Sequence, residues 1–243
     1  MTSRRLPFPK SVIFDLDGTL VDSAGGIVRA LNEILKSRGG GIVGPRAVRP
    51  WISLGAEDLV RNALGTHSRD GASDLTEFRS VYFDVLHDET DLYPGALACV
   101  EALKSEGLRI GVCTNKPQHL AERVLTQIGL STHLDAVVGA RPALPAKPAP
   151  EPARLTLLEM KADPDTTVFV GDSEVDAATA FACGLPFVLA RFGYPIASPD
   201  SIACRASFDV YADLPDALCV AALARSDRDV ASDVRPQRGR AKA

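Results

Sequence analysis

The chain has 243 residues, 46% of them apolar, and a formal net charge of −4, enough for one large domain or a domain carrying an insert. Acidic and basic residues are mixed along its length, so no basic track for nucleic acid stands out, and no apolar run approaches the roughly 20 residues of a membrane span. The five cysteines have no CxxC spacing and the four histidines no HxxxH pair, which argues for free thiols in a reducing compartment and against a zinc site.

Taken in chain order, Val12-Ile13-Phe14 is the first short β-rich run. The next are Arg109 to Cys113, Asp135 to Val138, Thr167 to Val170 and Phe187 to Ala190. Each is continuous and bounded by turn residues, the pattern of strands buried on both faces. Helical patterns lie between the later runs: Ala96 to Ser105, Pro117 to Ile128, Glu151 to Met160 and Glu174 to Cys183. Proline early and glycine after the end mark several of them. Strand–helix alternation of this kind predicts an α/β fold with a doubly wound parallel sheet.

Between Val21 and Tyr93 the alternation stops. Helical stretches at Ser23 to Lys36, about Ala56 to Leu64 and Asp74 to Leu86 predict an inserted small helical cap, with Ser23 capping its first helix. The stretch holding Arg46, Arg49 and Trp51 to Ala56 reads as a loop between two of these helices. The expected division is a catalytic core of residues 1–21 and 94–225, a cap of 22–93, and a disordered tail of 226–243, which is charged and poor in large apolar groups. No secretory signal is evident.

Ligands bind beyond the carboxyl ends of strands in such sheets. Three runs end on chemically useful residues: Asp15-Leu16-Asp17-Gly18-Thr19, Thr114-Asn115-Lys116 and Gly171-Asp172-Ser173. If those strands are neighbours, Asp15, Thr114 and Asp172 converge on one crevice. Gly18 bends the chain, so Asp15 and Asp17 can divide labour. Together with Asp172 they form a hard-oxygen site suited to Mg²⁺ rather than Zn²⁺. Lys147, in a proline-dense loop on the same edge, is the candidate counter-charge.

At these residues the chain resembles the haloacid-dehalogenase superfamily, in particular its phosphoglycolate-phosphatase-like members. Asp15 to Ser23 resembles the first family motif, Thr114 in Cys113-Thr114-Asn115-Lys116-Pro117 the second, Lys147 to Pro150 the third, and Gly171 to Asp176 the fourth. The likeness spans roughly residues 11 to 222, with all four motifs in order. Phe181 departs from it, standing where a Lys or Arg is common. The resemblance implies an Mg²⁺-dependent phosphatase acting on a small phosphorylated metabolite, with 2-phosphoglycolate as the first guess, and the chain is expected to be cytoplasmic and monomeric or homodimeric. By the same resemblance Asp15 forms an aspartyl-phosphate and Asp17 serves as acid and then base. Thr114, the backbone near Asn115, and Lys147 hold the phosphoryl group. Asp15, the Asp17 carbonyl and Asp172 bind Mg²⁺, and Asp176 supports them. Arg49, Trp51 and Ser53 resemble a specificity loop in the cap, where Arg49 would meet a substrate carboxylate. The plainer reading has Trp51 as cap core and Arg49 solvated. A hexose-phosphate mutase of the superfamily and a non-catalytic relative remain the alternatives.

Overall fold

The computed structural model describes residues 8–88 and 91–232, with side chains to residue 223. Every residue of β1 (Ser11–Phe14) is buried. Because successive side chains in a strand point to opposite faces, Val12 and Phe14 join one apolar cluster and Ile13 the other. A strand without a wet face belongs at the centre of a sheet, and β1 lies there. It pairs in parallel with β2 (Arg109–Pro117) on one side and β4 (Thr167–Gly171) on the other. With β3 (Ala136–Ala140), β5 (Phe187–Ala190) and β6 (Ala206–Phe208) the order is β3-β2-β1-β4-β5-β6, all parallel.

Helices cover both faces. Helices α5 (Ala96–Ser105), α6 (Gln118–Gln127) and α9 (Leu214–Ser232) contribute Val100, Leu103, Leu120, Val124, Leu214 and Leu218 to the cluster holding Val12 and Phe14. Helices α7 (Glu151–Met160) and α8 (Glu174–Ala182) place Leu157, Met160 and Ala180 against Ile13, Phe169 and Phe187. Burying each of these large side chains contributes roughly 1.5–3 kcal/mol. The strand order reverses at β1/β4, and a crevice at that switch point is where such a sheet binds ligands.

The insert is a helical cap of α1 (Ala24–Ser37), α2 (Pro45–Ile52), α3 (Ala56–Leu64) and α4 (Gly71–Asp84). Leu31, Ile34, Val48, Leu59, Val60, Leu75 and Phe78 form its interior. Arg38 ties α1 to α4, donating to Asp74 at 2.7 Å and also to Glu77, and Asp74 further accepts from Ser68 Oγ at 2.5 Å. Two linkers join cap to core side by side: Asp22 N donates to Asp91 O at 2.8 Å and Tyr93 N to Leu20 O at 3.0 Å. Among the described residues no helix is long and apolar enough to cross a membrane.

The structure corrects four local expectations. Arg46, Arg49, Trp51 and Ile52 are helical, in α2; only Val48 of this helix is buried, so the sequence shows no apolar period there. Ser23 stands at the N-cap position of α1 but does not cap it: its backbone is already in the right-handed helical region, its hydroxyl is buried without a partner among the described residues, and Asp22 Oδ1 accepts from Ala24 N at 3.3 Å instead. Strand β6 was not foreseen; at three residues it is too short to show a pattern. Residues 226–232 continue α9 rather than opening a disordered tail, and the rest of that expected tail lies outside the described residues.

Candidate active site

The carboxyl ends of β1, β2 and β4, adjacent in the sheet, deliver Asp15, Thr114 and Asp172 to one cavity. Asp17, Asn115, Lys116, Lys147 and Asp176 line it as well. Ser53, Ala56 and Phe78 of the cap close its other side. Gly18 makes the approach possible. Its φ is +91°, and a Cβ there would sit 2.3 Å from Asp172 Oδ2, so only glycine lets the β1 loop pass that close.

Lys147 is buried, and its Nζ lies 2.6 Å from both Asp15 Oδ1 and Asp176 Oδ1. Asn115 aims it. The Asn115 amide donates to Lys147 O at 3.0 Å, and Lys147 N donates to Asn115 Oδ1 at 2.8 Å. The proline-rich loop therefore carries a backbone bracket just where its lysine must point. Asp176 stands in the first turn of α8, where its Oδ2 accepts from Asp172 N, Ser173 N and Ser173 Oγ while Ser173 Oγ caps the helix. That capping box fixes the Asp172 loop. Asp172 Oδ1 accepts from Thr19 Oγ1 at 3.0 Å and Oδ2 from Tyr194 N at 2.7 Å.

One ligand atom each from Asp15, Asp172 and Asp176 lies within 4.8 Å of the others, and all three residues are buried. Burial pushes the Asp15 carboxyl up to about 7, against the pull of Lys147 and with Asp176 adding to the rise. Burial also raises Asp172 well above the usual carboxylate range, with Asp176 and Asp15 adding. Two unit charges about 4 Å apart repel by about 4 kcal/mol at an effective dielectric of 20. The single ammonium of Lys147 does not offset three such groups. An all-oxygen, electron-rich set of this kind fits a hard divalent cation.

The cap residues singled out in the sequence separate here. Ser53 lines the cavity and its hydroxyl donates to Tyr194 O. Arg49 and Trp51 do not line it. Arg49 is bound to Asp22 in the linker, with its guanidinium carbon 5.1 Å from the Tyr194 ring centroid, and Trp51 is half-buried against the core cluster. Thr19 and Ser173 lie within the first and fourth motifs, but their part in holding Asp172 and the α8 start is not legible there, and Tyr194 follows β5 with no motif around it.

Residues 12–190 match the family model for haloacid dehalogenase-like hydrolases. The chain belongs to this family. It is 38% identical over 217 residues to a phosphoglycolate phosphatase of Rhodospirillum rubrum, covering 86% of this chain and 90% of that one. It is 36% identical over 219 residues to a plasmid-borne phosphoglycolate phosphatase of Cupriavidus necator, covering 88% and 95%. Among solved structures, that of a predicted phosphoglycolate phosphatase from Haemophilus somnus superposes with a TM-score of 0.73 at 27% identity, covering 84% of this chain and 96% of that one.

Proposed function

We propose that this hydrolase is a Mg²⁺-dependent phosphatase that cleaves 2-phosphoglycolate through a phosphorylated Asp15. The observation that carries the reading is the buried Asp15 carboxylate held by Lys147, two residues before Asp17 and across the switch point from Asp172. The name shared by the relatives supports the substrate.

In this reading an Asp15 carboxylate oxygen attacks phosphorus and the bond from phosphorus to the glycolate oxygen breaks. Asp17 gives its proton to that oxygen. It then takes a proton from the water that attacks the aspartyl-phosphate, and inorganic phosphate leaves with Asp15 restored. Lys147, the Thr114 hydroxyl and the backbone near Asn115 hold the phosphoryl oxygens as charge builds on them. Asp15, the Asp17 carbonyl and Asp172 would hold Mg²⁺, which would supply the positive charge that lets a carboxylate approach a phosphate dianion. Asp176 keeps Lys147 and the Asp172 loop in place. The cap, residues 22–93, closes over the cavity opposite the sheet edge and excludes water from it. The five cysteines, all free, are in keeping with a cytoplasmic setting.

The test is phosphate release from a panel of phosphorylated metabolites, with Mg²⁺ and with chelator. The reading expects 2-phosphoglycolate to rank first and chelator to abolish release. Release unaffected by removal of divalent cations, or a panel in which 2-phosphoglycolate is inert, overturns it.

A further inference from the structure

Lys116 has no part in the chemistry above, yet it is the most tightly held cation on the cavity wall besides Lys147. It ends the Thr114-Asn115-Lys116 segment of β2, and its backbone N–H donates to Thr114 Oγ1 at 3.2 Å. Its side chain is 7% exposed. Nζ lies 2.8 Å from Asp17 Oδ1, 3.0 Å from Tyr82 Oη on cap helix α4, and 4.5 Å from the Tyr82 ring centroid.

We propose that Lys116 is the specificity-determining residue of this site, its ammonium binding the carboxylate of the leaving group while Tyr82 and Asp17 hold it in position. This rests on the phosphatase reading and names what selects the substrate within it. An ammonium has three N–H donors, and Asp17 and Tyr82 take two, leaving a third for the cavity that Lys116 lines. In 2-phosphoglycolate the carboxylate carbon is two bonds from the oxygen that Asp17 must protonate. A cation hydrogen-bonded to Asp17 is therefore within reach of that carboxylate when Asp17 is within reach of the oxygen. The other cations are worse placed. Lys147 is taken by Asp15 and Asp176, and Arg49 is bound to Asp22 outside the cavity. Arg79 lines the cavity but is exposed.

The test compares kcat/KM for 2-phosphoglycolate with that for its neutral isostere, 2-amino-2-oxoethyl phosphate, both with Mg²⁺. Wild type should favour the acid. Lys116→Met should lower the acid-to-amide ratio at least tenfold, a readout that general damage to the fold does not move. Lys116→Arg should keep most of the ratio, and Tyr82→Phe should lower it by a smaller factor than Lys116→Met. Equal losses on both esters in Lys116→Met overturn the inference alone, as does a ratio lost in Arg79→Ala but kept in Lys116→Met. A wild type that hydrolyses other phosphate esters but not 2-phosphoglycolate overturns the substrate reading, and this inference with it.

Discussion

Asn115 and Lys147 hold each other by two reciprocal hydrogen bonds, one in each direction between the Asn115 amide and the Lys147 backbone, although 32 positions separate them. The bracket fixes the backbone of the residue whose ammonium bridges Asp15 and Asp176. Asn115→Ala removes both bonds, each worth about 1 kcal/mol. Steady-state kinetics should show kcat/KM lowered by roughly tenfold. Asn115→Asp should do worse, because a carboxylate oxygen then faces the Lys147 carbonyl. Wild-type kinetics in both variants would show that Lys147 is aimed by its own loop.

The raised carboxyls make metal binding and pH inseparable. A carboxyl that titrates near 7 when folded and 3.8 when unfolded contributes stability that is full below the lower value and lost as pH rises through the upper one. The metal-free protein is thus destabilised by Asp15 as pH rises toward about 7, and Asp172 acts in the same direction. A divalent cation binds the deprotonated groups and competes with protons. The rise in Tm on adding Mg²⁺ should therefore be larger near pH 8 than near pH 5.5. A Mg²⁺ shift equal at both values, or absent, would contradict the assignment of these carboxylates to a cation.

Most of the sheet was legible because β1, β4 and β5 are buried on both faces, so their apolar runs are uninterrupted. The same burial put the chemistry in view, since polar residues directly after such runs have no packing reason to be there. What stayed hidden has physical causes. Helix α2 buries one residue of its eight and contains two prolines, so neither period nor propensity marks it. The Asn115 bracket, the Arg38–Asp74 pair and the Lys116–Tyr82 contact join residues 32, 36 and 34 positions apart. Local patterns do not carry pairings of that kind.

The Arg38–Asp74 pair predicts a cap defect separable from the chemistry. Both side chains are almost fully buried, and Asp74 also accepts from Ser68 Oγ and Arg69 N. Removing one partner of a buried pair costs about 3–5 kcal/mol. Arg38→Ala should lower stability by that order in denaturant unfolding, while purified protein at low temperature still hydrolyses p-nitrophenyl phosphate. An unchanged unfolding midpoint would mean that the pair contributes nothing net.

Asp17→Asn should slow turnover by roughly 10² to 10⁴, the usual loss of a general acid and base. Binding of the phosphoryl group, carried by Lys147, Thr114 and the cation, should survive, and equilibrium binding of inorganic phosphate with Mg²⁺ measures it. Loss of binding in step with loss of rate would assign Asp17 to ligand binding instead.

The central claim is that Asp15 carries the phosphoryl group, and acid-quenched labelling tests it most directly. Enzyme mixed with radiolabelled 2-phosphoglycolate and Mg²⁺, quenched in acid and digested, should yield label on the peptide containing Asp15, released by hydroxylamine as an acyl-phosphate is. The Asp15→Asn variant should carry no label and release no phosphate. Label on a different residue, or an Asp15→Asn variant that releases phosphate near the wild-type rate, would contradict the account.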